Sequence, residues 1–68
     1  MNTELQKARK ETGLTQVQVA KRAGISNMSY HRYENGERVP NAYTVQLIAK
    51  ALNTTVEEIF PLSPDNPH

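Results

Sequence analysis

Asn27, Met28, His31 and Arg32 fall on two adjoining rows of one short helical stretch, offering an amide, a soft thioether, an imidazole and a guanidinium. Met28 and Arg32 are four residues apart, as are Asn27 and His31, so each pair shares a helix face. An exposed methionine between such groups is an odd choice for a surface that touches nothing. The major groove of double-stranded DNA supplies what each needs: an adenine edge for Asn27, thymine methyls for Met28, and guanine or a phosphate for Arg32. His31 is a polar groove-facing or solvent-facing group, and its titration at an interface would make binding sensitive to mild acid.

Such a row must be held from behind. Gln16 to Asn35 reads as two short helices joined by a tight turn, with Ala20 where a larger side chain would part them. Gly24 stands where the backbone needs positive φ, which a Cβ disfavours. Val19, Ala23, Ile25, Tyr30 and Tyr33 fall on the inward sides, which makes the pair a helix-turn-helix. Thr15 and Gln18 form a capping box at the first of these helices, and Ser26 caps the second, expected over Asn27 to Glu34. Gln16, in a first helical turn where backbone donors favour an anion, is either a phosphate contact or a solvated surface glutamine. Asn35-Gly36 signals a turn into a loop from which Asn35 and Arg38 reach the backbone beside a groove. Thr15, Gln16, Ser26, Asn35 and Arg38 are thus the candidate DNA backbone contacts, and Asn27, Met28, His31 and Arg32 the candidate base contacts.

The flanking segments supply the frame. A first helix over Thr3 to Thr12, capped by Thr3 and ended by Gly13, carries Leu5 and Ala8 on a thin apolar stripe that Leu14 continues. Asn41 caps a fourth helix, Ala42 to Leu52, whose Val45, Ile48, Ala49 and Leu52 follow core spacing, with Leu47 completing the core. Asn53 ends it. Thr55 to Glu58 reads as a second capping box, opening a one-turn helix with Val56, Ile59 and Phe60 that Pro61 stops. Val56, Phe60 and Leu62 serve as a lid on the core, as a dimer contact, or as both. The expected fold is all-α, a compact five-helix bundle over residues 1–62, followed by a disordered polar tail over 63–68.

Composition narrows the function classes. The chain has 68 residues, no cysteine and two histidines, so neither disulfides nor a metal site is expected to staple it, and no cofactor is implied. His31 is far from any nucleophile–base pair, and so short a chain closes no cleft, so no enzyme is expected and no catalytic residue is assigned. No apolar run nears the roughly 20 residues of a membrane span, and the start MNTELQKARK lacks a signal peptide's apolar stretch, which points to a cytoplasmic protein. The net charge is +1, but residues 1–38 hold seven of the eight lysines and arginines against four glutamates. Residues 39–68 hold Lys50 against three acidic residues. A basic front and an acidic back suit a polyanion on one side.

The run Leu5-x3-Arg9-x3-Gly13-Leu14-Thr15-Gln16, then Val19-Ala20, Gly24-Ile25-Ser26, Tyr30-x2-Tyr33-Glu34-Asn35-Gly36 and Pro40, resembles the phage-repressor and Cro-like helix-turn-helix family, often called XRE. Thr44-x3-Ile48-Ala49-x-Ala51-Leu52-x7-Phe60 is similar to the fourth and fifth helices of that family. The resemblance implies a lambda-repressor-like DNA-binding bundle whose third helix enters the major groove, acting as a homodimeric regulator, a repressor, on a palindromic operator. It also implies a phosphate contact and a brace at Gln16, base edges facing Asn27, Met28 and Arg32, and a structural ion pair between Arg9 and Glu34. Met28 departs from the polar residue, often glutamine, that many relatives carry there, so a different target site is implied. The alternative is an antitoxin-like module that keeps the fold and binds protein, although Leu62 to His68 offers little to wrap a partner.

Overall fold

Five helices each begin on a side-chain oxygen. In the computed structural model, which describes residues 2–61, the helices are α1 (Thr3–Thr12), α2 (Gln16–Ala23), α3 (Asn27–Asn35), α4 (Ala42–Ala51) and α5 (Val56–Ile59). Asn2, Thr15, Ser26, Asn41 and Thr55 accept the backbone N–H of Leu5, Gln18, Ser29, Thr44 and Glu58, satisfying a donor that the helix itself leaves open.

Two of these caps correct the sequence reading. Asn2, not Thr3, caps α1, and Thr3 is the first helical residue. Asn2 Oδ1 caps the helix at 2.9 Å while Nδ2 donates to the Ile59 carbonyl at 2.8 Å. The Asn2 backbone N–H adds a bond to the Glu34 carbonyl at 2.9 Å. At α5 the structure holds only the first half of the expected capping box, Glu58 N to Thr55 Oγ1 at 3.3 Å, whereas Thr15 and Gln18 close both halves at α2. Smaller shifts occur elsewhere: α3 runs one residue further, to Asn35, and Leu52 caps α4 instead of belonging to it.

Gly24 makes the turn between α2 and α3 with φ of 75°. A Cβ built there would meet nothing within 4 Å, so the requirement for glycine lies in the backbone conformation and not in crowding. Asn53 leaves α4 with φ of 56°, a conformation that asparagine tolerates better than most residues.

The core joins Leu5 of α1, Val19, Ala20 and Ala23 of α2, Tyr30 of α3, Ile48 and Ala49 of α4, Leu52, and Ile59 of α5. Ala8, Leu14, Ile25, Tyr33, Leu47 and Phe60 pack on its margin half-buried. α2 lies against both α3 and α4, while α1 lies against α3 and α5, so α3 is held from two sides. Val56 remains 37% exposed and is no part of the core. No helix among the described residues is long and apolar enough to cross a membrane. Leu62 and the tail 63–68 lie outside the described residues.

Candidate nucleic-acid interface

The mount of α3 is a buried ion pair. Arg9 Nε stands 2.5 Å from Glu34 Oε2, and Arg9 Nη1 donates to the Leu14 carbonyl at 3.0 Å. The Glu34 side chain is 1% exposed. Its second oxygen, Oε1, accepts from Gln16 Nε2 at 2.9 Å, so α1, the start of α2 and the end of α3 meet at one carboxylate. Burial by itself would raise the Glu34 carboxyl, but the hydrogen bonds from Arg9 and Gln16 and the charge of Arg9 outweigh it and hold the group below the usual carboxylate value. The same pairing raises Arg9.

Tyr30 completes this cluster without joining its hydrogen bonds. Its side chain is fully buried and its hydroxyl lies beside Glu34 and Arg9 but has no hydrogen-bond partner among the described residues. Burial, reinforced by the neighbouring carboxylate, pushes the phenol far above its ordinary range.

Gln16 is thus a brace as well as a surface group. Its amide spans from Glu34 to His31, where Oε1 lies 3.3 Å from the ring Nδ1. One of its two N–H groups serves Glu34, which leaves a second donor for a ligand. His31, expected among the base contacts, is exposed but bonded on its other side too, with Nε2 lying 3.0 Å from Asn35 Nδ2. Asn35 also donates to Glu37 Oε2 at 3.2 Å.

The remaining expected contacts stand as follows. Asn27 and Met28 are exposed in the first turn of α3, Met28 to 63%, while Arg32 is half-buried one turn on. Among the described residues, the side chains of Asn27, Arg32 and Arg38 have no hydrogen-bond partner, and Arg38 is exposed on the α3–α4 loop. Thr15 and Ser26 are exposed caps whose oxygens are engaged by backbone N–H groups, and the Ser26 hydroxyl donates to Ser29 Oγ at 2.9 Å. Arg22 and Lys21, in the last turn of α2, add exposed positive charge.

Sequence reasoning missed the link between His31 and Asn35, although their spacing of four on one helix was a signal for it. It also missed the exposure of Val39 (83%) and Tyr43 (70%), which stand on the loop after α3 and at the start of α4. Nothing in apolar residue type alone distinguishes these from core positions.

This arrangement is two packed helices joined by a glycine turn, the second bearing an open polar row and anchored by a buried carboxylate. Residues 5–59 match the protein family described as helix-turn-helix, and the chain belongs to it. It is a DNA-binding domain of the transcriptional-regulator type, with the XRE arrangement of motifs. An HTH-type transcriptional regulator of Methanothermobacter thermautotrophicus, itself uncharacterised, is 36% identical over 66 residues, covering 96% of each chain. The cryptic phage CTXphi transcriptional repressor RstR of Vibrio cholerae is 41% identical over 51 residues, 75% of this chain and 46% of that protein. No solved structure gives a significant match.

Proposed function

We propose that the chain is a sequence-specific regulator, a repressor, that inserts α3 into the major groove as a homodimer on a palindromic operator. The observation that carries this reading is the division of α3. Its first turn exposes Asn27 and Met28, while its last turn is fixed to α1 and α2 through Glu34. Bare side chains on a rigid helix are what reading base edges requires. Asn27, Met28 and Arg32 discriminate bases in this scheme. Thr15, Gln16, Ser26, Asn35 and Arg38 hold the sugar–phosphate backbone, and the charge of Arg38 makes affinity fall with salt. The likeness to a phage repressor supports repression over activation.

Pairing of two copies draws on the apolar groups left outside the core. Val56 is exposed on α5 and Phe60 is half-buried after it, and Leu62 follows in the sequence. A dyad there sets two α3 helices in successive major grooves, roughly 34 Å apart.

Selection of binding sites from random duplex DNA, at low and moderate salt, tests the proposal. A palindrome with half-sites about one helical turn apart is the expected result. A single half-site removes the dimer and keeps the DNA reading. Absence of enrichment at both salts rejects sequence-specific binding altogether.

A further inference from the structure

The His31 ring is bound on both nitrogens, and the carboxylates at the two ends of its network fix the direction of every bond. Asn35 Nδ2 stands 3.0 Å from His31 Nε2 and 3.2 Å from Glu37 Oε2. Turning that amide over would set its oxygen against the Glu37 carboxylate, so the nitrogen faces both partners. Gln16 is fixed in the same way, with Nε2 toward Glu34 and Oε1 left for His31 Nδ1. The imidazole therefore accepts at Nε2 and donates at Nδ1, which is the neutral ring with its one proton on Nδ1. The result is one directed chain: Asn35 donates to His31, His31 to Gln16, and Gln16 to Glu34.

We propose that neutral His31 is a positioning residue. It ties Gln16 at the start of α2 to Asn35 at the end of α3, sets these two backbone-contacting groups at one spacing, and loses that tie in mild acid. This rests on the DNA-binding reading above. A second proton must enter at Nε2, where it faces the Asn35 amide nitrogen, so two donors oppose each other. Asn35 then swings away, or turns its oxygen toward Glu37 at a cost. The charged groups around the ring act in both directions. Glu34 and Glu37, each one amide away, favour the added charge. Arg9, paired with Glu34, and Arg32, the next residue of α3, oppose it.

An imidazolium also attracts phosphate, so acid strengthens binding to any duplex while misaligning the contacts to the preferred one. The ratio of affinities for the selected site and for random duplex is therefore the proper readout. It is expected to fall about five- to tenfold, the worth of one ordinary hydrogen bond, in the wild-type protein on acidification. The measurement spans about pH 7.5 to about pH 5.5. In His31→Gln, which keeps a donor and an acceptor and cannot ionise, the ratio stays flat over the same interval. Superimposable pH profiles for the two proteins overturn the proposal, as does a changed preference at a single base pair in His31→Gln. A second measurement needs neither the variant nor DNA. In the free wild-type protein, the side-chain amide resonances of Gln16 and Asn35 should shift together with those of the His31 ring as pH is lowered. Amides that ignore the ring titration overturn the tie. Because this holds even when selection returns no site, failure of the tie and failure of the DNA reading are told apart.

Discussion

The two ends of α3 are built on opposite principles. At its start, Asn27 and Met28 are exposed and Met28 touches solvent over 63% of its surface. At its end, Glu34 is 1% exposed and bonded to two other helices, and Asn35 is held by His31 and Glu37. At one end the Asn27 and Met28 side chains project outward, open to an outside partner. The other makes its contacts inside the protein and fixes where the first end points. A helix of nine residues is marginal alone, so this orientation comes from tertiary anchoring and not from helix propensity.

The comparison breaks most severely at the anchor. Arg9→Met leaves the Glu34 carboxylate buried without its counter-charge, at a cost of about 3–5 kcal/mol. Since so small a core rarely supplies more than about 3–5 kcal/mol in total, the variant should be largely unfolded at room temperature by far-UV circular dichroism. The wild-type pair carries a pH signature of the same origin. The folded-state Glu34 carboxyl is depressed, so its stabilisation is complete above the ordinary carboxylate value and lost as pH falls through the folded one. Urea melts at successively lower pH should record that loss; a flat acid limb would mean that the pair contributes nothing net.

At the open end, the effect should appear in binding alone. Arg32→Ala is expected to weaken the selected site by about 1–3 kcal/mol if the guanidinium reads a base, with the urea midpoint unchanged. Equal weakening on selected and random duplex would reassign Arg32 to the phosphates. Gly24→Ala acts between the two ends, in the turn that delivers α3. It should cost about 1–2 kcal/mol from left-handed backbone strain alone, because no neighbour obstructs the new methyl. A loss well beyond that would point to a displaced α3, visible as weaker binding. The smallest change is expected at Tyr30→Phe. Its hydroxyl is buried beside the anchor with no partner, so removing it should leave stability within about 1 kcal/mol or raise it. A larger loss would show that the hydroxyl serves the Arg9–Glu34 pair after all.

What was legible in the sequence was local. Thr15, Ser26 and Asn41 announce their helices because capping depends on residues three apart, and Gly24 announces its turn because only backbone conformation is at stake. Core spacing in α4 was legible for the same reason. The misreadings involve distance along the chain. Asn2 outcompetes Thr3 as cap through a bond to Ile59, which no local pattern displays. The tie from His31 to Gln16 was out of reach for the same reason, since Gln16 lies fifteen positions earlier, on another helix. The exposure of Val56, which suits the dimer-contact alternative, was likewise not legible, since periodicity gives a face and not what covers it.

The Asn2 bond also has a consequence in time. Its side-chain amide waits for a carbonyl 57 residues downstream. On a ribosome adding about 5–20 residues per second, α1 passes several seconds without that clasp. The helix-turn-helix pair emerges in that interval and can pack first, since its turn and its contacts are short-range. The seam between the first helix and the last closes only as synthesis of the domain finishes, and until then the floor beneath Leu5 stands open to whatever binds nascent chains.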